Sequence, residues 1–399
     1  METDERDRSV DGGHETVPDE RLVEVKQRSP GVHDVIVVGA GAAGVGVAVA
    51  LKDAGVLDCV VIERLRVGAS FALWPAETRF ITPSFPTNSI GMLDLNSVVI
   101  GASPGFGLAT EHPTGLQYAL YLRQLVQELE LSVREATSVL RVTKIGDEFC
   151  VDTDTETLRA RHVVWAVGEY QYPRVSSFSG AELCKHTATV DRYEDLPGAG
   201  YAIIGGYESG VDAAYHLSLR GKTVWLFDSG EPWVSTDSDP SVSLAPYSLD
   251  RMRDPRFKEN VVLIPNTEIT SVERLADGYK IDASSGKQFV TPEVPLLASG
   301  FTGGHRGIMH LFEERESDGF PLLSDSDEST ITPGLFLCGP AVRHDEHIFC
   351  FIYKYRQRFA VVAKAIATSL GLPAEQLELY REWGMYLDDL SCCGEECFC

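Results

Sequence analysis

Three glycines, Gly39, Gly41 and Gly44, follow the apolar residues Val35–Val38 with the spacing G-x-G-x-x-G. Glycines at this spacing form a tight turn between a strand and a helix, and the turn exposes backbone N–H groups that can bind a pyrophosphate. Glu63 ends the next apolar stretch, where a carboxylate can accept hydrogen bonds from the ribose hydroxyls of an adenine nucleotide. These residues predict a first dinucleotide site.

A second pattern of the same kind begins at Tyr201, where the sequence YAIIGGYESG repeats the apolar stretch and the turn. Tyr207 replaces the middle glycine, so we expect the pyrophosphate to lie farther from this turn than from the first. An aspartate after the following strand favours the free ribose of NADH, while Ser229 leaves NADPH possible. The residues expected to bind this second dinucleotide are Gly205, Gly206, Ser209, Gly210 and Asp228.

Four cysteines, Cys392, Cys393, Cys397 and Cys399, stand at the carboxyl terminus in the sequence LSCCGEECFC. Thiolates bind soft metal ions, and thiols also exchange with disulfides. We therefore treat all four as candidate catalytic residues and as candidate ligands of a thiophilic metal. A dispensable tail and an assembly site are the alternatives.

Alternating strands and helices must position these residues. Strands are predicted at about 139–144, 148–153 and 162–167, then at 223–227, 261–264, 269–274 and 279–282, with helices at 114–131, 211–219 and 348–370. The repeated order of strand, phosphate turn, helix and strand indicates an internal duplication. The expected fold class is α/β, with two Rossmann-like dinucleotide-binding domains.

Composition and charge narrow the possible partners. The 399 residues carry a formal net charge of −24, which disfavours nucleic acid and anionic membranes as partners. The first 30 residues are acidic and polar, so we expect a flexible acidic arm and no signal peptide. Nine cysteines without a secretory signal favour a cytoplasmic location.

With these motifs in place, the chain resembles the flavoproteins that carry two dinucleotide-binding domains, the superfamily of thioredoxin reductases and flavin-containing monooxygenases. The resemblance implies an FAD-binding domain made of residues 31–170 and 296–375, with an NAD(P)H-binding domain, residues 171–295, inserted between them. Residues 376–399 would then form a cysteine-rich C-terminal tail. A homodimer is compatible with this resemblance, since a partner subunit could supply missing site residues.

The resemblance also assigns cofactors to the two turns. It implies that FAD binds at Gly39, Gly41, Gly44 and Glu63, and that NADH, or else NADPH, binds at the second turn. Gly339 matches the position that contacts the flavin ribityl chain, although Pro340 follows it where the superfamily usually has aspartate.

Two branches of the superfamily compete. The segment containing Trp74 and Arg79 is similar to a monooxygenase segment that positions flavin and nicotinamide. Phe178, Gly180 and His186 are similar to the monooxygenase signature F-x-G-x3-H, with two extra residues before the histidine. The reductase branch needs a dithiol beside the flavin, and the two domains contain no C-x-x-C or C-x4-C pair.

These observations leave three hypotheses about function. The first is an NAD(P)H-dependent FAD monooxygenase that oxygenates a soft nucleophile, with His186 structural or a proton carrier. The second is a reductase of disulfides or thiophilic metals and metalloids that uses the terminal cysteines as a shuttle. The third is a flavin-binding sensor without turnover.

Overall fold

We describe the protein from a computed structural model, which covers residues 31–85, 93–237, 239 and 241–391. The acidic arm predicted for residues 1–30 lies outside these described residues. The strands, in chain order, are β1 Val32–Val38, β2 Cys59–Ile62, β3 Val133–Arg134, β4 Val139–Ile145, β5 Glu148–Thr153, β6 Thr157–Trp165, β7 Lys185–His186, β8 Gly200–Ile204, β9 Thr223–Phe227, β10 Val261–Ile264, β11 Ile269–Leu275, β12 Gly278–Ala283, β13 Gln288–Thr291, β14 Leu296–Leu297, β15 Glu313–Glu314, β16 Pro321–Leu322, β17 Leu335–Leu337, β18 Arg343–His344 and β19 His347–Ile348. The α-helices are α1 Ala42–Asp53, α2 Ala69–Ala72, α3 Pro104–Leu108, α4 Gly115–Glu128, α5 Glu208–Ser218, α6 Pro246–Met252, α7 Pro255–Asn260, α8 Ile352–Tyr355, α9 Phe359–Ser369 and α10 Glu378–Glu382.

The first sheet is built around β1, which pairs in parallel with β2 on one side and with β6 on the other. β17 comes from far along the chain and pairs in parallel with the last three residues of β6. The last four residues of β1, Val35–Val38, are all apolar and buried, as expected for a parallel strand covered on both faces. The carboxyl ends of these strands meet at one edge, where the first phosphate turn lies.

The second sheet has the strand order β10-β9-β8-β14-β7, with every pairing parallel. Its β8–α5–β9 unit repeats the β1–α1–β2 unit of the first sheet. The chain thus enters the second sheet after β6 and returns to the first sheet at β17, so the second domain is an insertion in the first. The predicted α/β fold with two Rossmann-like domains is confirmed.

Helices α1 and α9 cover the first sheet. α1 is buried from Ala42 through Leu51, because it is apolar on all sides and lies between the sheet and neighbouring helices. A Cβ atom at Gly46 would lie 2.0 Å from the ring of Phe359, so the close packing of α1 on α9 requires glycine at this position. α4 begins with a capping box in which Thr114 and Gln117 bond to each other's backbone N–H groups.

Several predicted boundaries differ from the observed ones. The helix predicted over residues 348–370 starts only at Ile352, because the β18–β19 hairpin occupies the residues just before it, and a 3₁₀ turn at Arg356–Arg358 divides it into α8 and α9. β14 pairs with β8, so residues 296–297 belong to the second sheet and the return to the first domain follows them. Residues 376–390 are part of the first domain, since Leu377, Tyr380 and Met385 are buried in its core.

No helix in the described part of the chain combines the length and the apolar character needed to cross a membrane.

Candidate functional site

The first phosphate turn has the geometry that its glycines predict. Gly39 has φ +102°, and a Cβ atom there would lie 2.6 Å from the carbonyl oxygen of Ala166. A Cβ atom at Gly44 would lie 1.8 Å from the carbonyl oxygen of Gly39. A Cβ atom at Gly41 would meet nothing within 4 Å. Gly39 and Gly44 are therefore required by the fold itself, whereas Gly41 leaves open the space above the start of α1.

Glu63 is buried beside this turn and holds it in place. Its Oε2 accepts the N–H of Ala40 at 2.8 Å, and its Oε1 accepts the N–H of Leu65 at 2.8 Å. Each carboxylate oxygen retains a lone pair for a further donor. Glu63 is thus oriented at the end of β2 where a ribose hydroxyl could bond to it.

The second phosphate turn repeats this backbone. Gly205 has φ +105°, and a Cβ atom at Gly210 would lie 1.9 Å from the carbonyl oxygen of Gly205. Asp228 accepts the N–H of Gly206 at 2.7 Å on Oδ2 and the N–H of Gly230 at 2.8 Å on Oδ1. Asp228 therefore holds the second turn as Glu63 holds the first.

One cavity of about 370 Å³ extends from the first domain to the second. The first turn contributes Gly39, Gly41 and Glu63 to its wall, and the first turn of α5 contributes Ser209. A shared cavity of this kind can bring two cofactors, or a cofactor and a substrate, into contact. Of the predicted residues of the two turns, Gly39, Gly41, Glu63 and Ser209 thus share one cavity, whereas Gly205, Gly206, Gly210 and Asp228 are not on its wall.

Aromatic side chains form one wall of the cavity. Trp74 is half-buried, with ring centroids 4.9 Å from Phe80, 5.4 Å from Phe71 and 6.2 Å from Tyr170. Arg79 also lines the cavity, and its Nη1 donates to the carbonyl oxygen of His112 at 2.9 Å. Both predicted residues therefore face the space that a flat ring system would occupy.

Asp212 was not among the residues predicted from sequence. It lies on α5, lines the cavity and accepts a hydrogen bond at 2.6 Å from Thr78, which belongs to the first domain. Arg251 donates to its other oxygen at 2.5 Å. Burial favours the neutral acid, but contacts with His216, Arg251 and Thr78 outweigh it and lower the pKa of Asp212 to about 2. Asp212 is thus a charged contact between the two domains.

Cys350 lies on the cavity wall just before α8, as expected from its place in the sequence beside the predicted flavin site. Its thiol donates to Ser241 Oγ at 3.1 Å, and Lys354 Nζ donates to the same oxygen at 2.9 Å and to Asp239 at 2.7 Å. Burial raises the pKa of Cys350, while the Ser241 hydrogen bond and the charges of Lys354 and Arg343 act in the opposite direction. Among the cysteines of the described residues, Cys350 is the one that lines the cavity.

Glu169 follows Gly168 at the end of β6 and lines the cavity. Its side chain is exposed to the open cleft, yet surrounding protein desolvates the carboxyl and raises its pKa, with Arg343 opposing the shift. A carboxyl group whose pKa is raised holds a proton more readily than an exposed one and can act in proton transfer. The sequence offered one signal for it, its place four residues beyond the end of a parallel strand.

His186 lies at the crossover between the domains, with both ring nitrogens bonded to backbone. Nε2 lies 3.1 Å from the carbonyl oxygen of Gly300, and Nδ1 accepts the N–H of Ala188 at 3.1 Å. Burial lowers the pKa of His186, so the neutral ring is favoured. Of the two roles predicted for His186, these contacts favour the structural one.

Gly339 follows β17 with φ +112°, and a Cβ atom there would lie 3.1 Å from the Cβ of Ala43 in α1. Pro340, the next residue, lines the cavity. Asp345, which could replace the missing aspartate, lies at the tip of the β18–β19 hairpin with φ +46° and is not on the cavity wall. A contact between the flavin ribityl chain and the backbone of Gly339 therefore remains a prediction.

The four terminal cysteines, Cys392, Cys393, Cys397 and Cys399, lie outside the described residues. Within residues 31–85, 93–237, 239 and 241–391, no group of three or more His, Cys, Asp or Glu side chains is arranged to hold a metal ion. The metal site predicted at the tail stays a prediction.

Comparison of the sequence with known proteins finds a matching family and a similar protein. Residues 36–339 match the family described as "Pyridine nucleotide-disulphide oxidoreductase". Over 313 residues the chain is 24% identical to bacilliredoxin reductase Bdr of Bacillus subtilis, which covers 76% of this chain and 88% of that protein.

Two solved structures show the same fold. Bacillithiol disulfide reductase Bdr (YpdA) of Staphylococcus aureus has a TM-score of 0.69 at 21% identity and covers 84% of this chain and 98% of its own. A flavin-containing monooxygenase of Stenotrophomonas maltophilia has a TM-score of 0.63 at 16% identity and covers 85% of this chain and 99% of its own. Both branches weighed from the sequence are therefore represented among similar folds.

Proposed function

The chain belongs to the pyridine nucleotide-disulphide oxidoreductase family, and from that premise we propose that it is an FAD-dependent oxidoreductase that takes hydride from NAD(P)H and reduces a low-molecular-weight disulfide. The overall reaction is NAD(P)H plus a proton plus RSSR, giving NAD(P)⁺ and two RSH, in which the nucleotide loses two electrons and the disulfide gains them. The cavity shared by the two domains is the observation that carries this proposal.

The residues of the first turn fit FAD. The open space at Gly41 admits a pyrophosphate to the N–H groups at the start of α1, and the oriented carboxylate of Glu63 accepts the adenosine ribose hydroxyls. The aromatic wall around Trp74 provides an apolar surface for the flavin ring system. Bound FAD supplies the capacity to accept a hydride and to pass on two electrons.

Two observations favour a disulfide as the acceptor. The relative that matches this chain over 313 residues is named a bacilliredoxin reductase, and a solved structure with a similar fold is named a bacillithiol disulfide reductase. In this chain, Cys350 places a thiol on the wall of the shared cavity. We assign to Cys350 thiol–disulfide exchange with the substrate, in which its thiolate attacks one sulfur of RSSR, the substrate S–S bond breaks and one RSH leaves. The mixed disulfide left on Cys350 would take two electrons from NAD(P)H by way of bound FAD, which would release the second RSH and restore the thiol. Glu169 is placed to exchange protons with the same cavity.

The proposal is tested with the purified holoprotein, reduced by NADH without oxygen and then mixed with one acceptor at a time. The acceptors are bacillithiol disulfide, glutathione disulfide and oxygen, and the measurement is the rate at which the oxidised flavin absorbance returns. We expect at least one disulfide to restore it faster than oxygen does, with two thiols formed per NADH consumed. Equal or slower rates with both disulfides would reject the disulfide as acceptor.

The role of Cys350 has a matched control within the chain. Cys350→Ser should lose disulfide turnover and keep flavin reduction by NADH, because it replaces one sulfur atom on the cavity wall and leaves the first turn and the aromatic wall as they are. Cys184→Ser changes a half-buried cysteine that does not line the cavity and should keep both rates. A chain ending at Ser391 separates the tail from this role: if disulfide turnover is lost there and kept in Cys350→Ser, the shuttle is the terminal cysteines.

A monooxygenase is the second candidate, and the placement of Trp74 and Arg79 on the cavity wall favours it. A similar fold is also that of a flavin-containing monooxygenase. In the oxygen arm of the same experiment, a lasting spectrum distinct from both oxidised and reduced flavin would support this function. Thiophilic metal reduction would appear as a dependence on the terminal cysteines, and a sensor would leave the flavin unreduced by either nucleotide.

A further inference from the structure

The middle position of the two phosphate turns differs although the backbone does not. Gly41 precedes α1 with φ −82° and ψ −167°, and Tyr207 precedes α5 with φ −86° and ψ −162°. A side chain at either position starts in the same direction relative to its helix. At Gly41 that direction is open space, through which a pyrophosphate reaches the helix N-terminus. At Tyr207 the same space contains the tyrosine side chain.

Hydrogen bonds hold this side chain and its neighbour in place. The Tyr207 hydroxyl donates to the carbonyl oxygen of Ser243 at 2.6 Å. Glu208, the next residue, accepts the N–H of Ala245 at 2.6 Å and the hydroxyl of Ser248. Because both side chains are bonded to the same stretch of chain, Tyr207 cannot turn aside for a ligand without breaking these contacts.

The second turn is also crowded beside Tyr207. A Cβ atom at Gly206 would lie 2.4 Å from the ring of Trp233 and 2.9 Å from the Cβ of Asp228. The shared cavity reaches Glu208 and Ser209 but not Gly205, Gly206 or Tyr207. The cavity therefore extends over the first turn and does not extend over the second.

The charges at the start of α1 and α5 also differ. A helix N-terminus attracts an anion, and in the first turn Ala42 leaves that attraction unopposed. In α5 the first turn contains Glu208, whose carboxyl takes the place next to the N-terminus. Arg79 is the one basic residue among the described residues of the cavity wall, and it belongs to the first domain. At the second turn the space at the middle position is filled by Tyr207 and the helix begins with an acid, so a pyrophosphate is disfavoured there relative to the first turn.

We propose that Tyr207 is a specificity-determining residue that excludes the pyrophosphate, so that the inserted domain binds a hydride donor through its nicotinamide riboside half alone. The inference rests on the proposed function, because it names the part of the pyridine nucleotide that this site recognises. Reduced nicotinamide riboside should then serve about as well as NADH, since the adenylate half adds no contacts at the second turn.

The test uses the FAD-loaded wild-type protein, Tyr207→Gly and Tyr207→Phe. Apparent dissociation constants for NADH and reduced nicotinamide riboside come from the concentration dependence of anaerobic flavin reduction. Binding of ADP-ribose, which contains the pyrophosphate and no nicotinamide, is measured by calorimetry and needs no turnover. Tyr207→Phe is the matched control, because it removes the bond to Ser243 and keeps the ring.

We expect the two constants of the wild type to agree within about threefold, and no ADP-ribose binding. Tyr207→Gly should bind NADH about 10- to 100-fold more tightly, as one or two charge-assisted hydrogen bonds are restored, and should bind ADP-ribose, while its constant for the riboside stays unchanged. Tyr207→Phe should behave as the wild type. Wild-type protein that binds ADP-ribose, and that prefers NADH to the riboside by more than tenfold, would overturn the inference.

The same measurements distinguish failure of the proposed oxidoreductase function from failure of the role of Tyr207. If neither hydride donor reduces the flavin in any variant, but ADP-ribose binds Tyr207→Gly and not the wild type, the oxidoreductase proposal fails and Tyr207 still excludes the pyrophosphate. If both donors reduce the flavin and Tyr207→Gly changes neither NADH nor ADP-ribose binding, the oxidoreductase proposal stands and the role of Tyr207 is refuted.

Discussion

Substitution of Gly41 by valine should abolish tight FAD binding without unfolding the protein. A Cβ atom at Gly41 meets no protein atom within 4 Å, and its φ of −82° is open to any residue. The substitution should therefore change the free energy of unfolding of the FAD-free protein by less than about 0.5 kcal/mol. The new side chain would instead fill the space that the FAD pyrophosphate needs.

The loss of affinity can be estimated from the contacts at the helix N-terminus. A pyrophosphate in this turn accepts charge-assisted hydrogen bonds from backbone N–H groups, each contributing about 1.5–3 kcal/mol. Losing two of them costs about 3 kcal/mol or more, and each 1.4 kcal/mol is a factor of ten. We expect the dissociation constant of FAD to rise at least about 100-fold.

The assay is titration of the FAD-free protein with FAD, followed by flavin fluorescence, together with urea unfolding of the same preparations. Gly107→Val is the control, because Gly107 also has nothing within 4 Å of its Cβ position and lies on α3 away from the cavity wall. Gly44→Ala is the opposite case and should fail to fold, since its Cβ would lie 1.8 Å from a backbone oxygen. A stable Gly41→Val protein with unchanged FAD affinity would refute the assignment of the first turn to FAD.

Three further predictions concern buried charged and titratable groups. Burial lowers the pKa of His305 to about 4, so below pH 6.5 the unfolded chain takes up a proton that the folded chain does not. The free energy of unfolding should therefore fall as the pH drops from 6.5 to 4, by about 2 kcal/mol between pH 7 and pH 5. Urea unfolding of His305→Phe at these two pH values should lack that difference. Arg358→Met should lower the free energy of unfolding by about 3–5 kcal/mol, because it removes the guanidinium that pairs with the fully buried Asp327 carboxylate, and a loss under 1 kcal/mol would show that the contact with His344 is sufficient for Asp327. Asp212→Asn should lower the free energy of unfolding by about 3 kcal/mol, because it leaves the buried Arg251 guanidinium without its carboxylate partner. The measurement is the urea midpoint at unchanged slope, and an unchanged midpoint would mean that another group balances the charge of Arg251.

Much of the fold could be predicted because it depends on local patterns. The strands 148–153, 223–227 and 261–264 were predicted with the bounds they have, since each is a short apolar or alternating run between turn residues. Glu63 and Asp228 were predicted because an acid at the end of the second strand of such a unit faces the turn. The observed contacts of both carboxylates with the turn N–H groups agree with that expectation.

The rest depends on contacts between residues far apart in sequence. Asp212 meets Thr78 across the domain boundary, and nothing in the sequence near either residue marks that pair. Cys350 has no other cysteine near it in the sequence, and its contact with Ser241 on the cavity wall depends on residues 109 positions apart. The helix predicted from residue 348 began too early because the β18–β19 hairpin, which ends there, has no strong turn signal.

The glycines of the two turns show why a motif can predict a fold more securely than a ligand. The first and third glycines of each turn are demanded by the chain itself, because Gly39 and Gly205 have positive φ and a Cβ at Gly44 or Gly210 would overlap a backbone oxygen. Any chain that makes this turn must keep them, with or without a nucleotide. The middle position carries no such demand, since Gly41 and Tyr207 have the same backbone angles. A glycine there is therefore evidence of a ligand that approaches the backbone, and its replacement is evidence that this approach is not used.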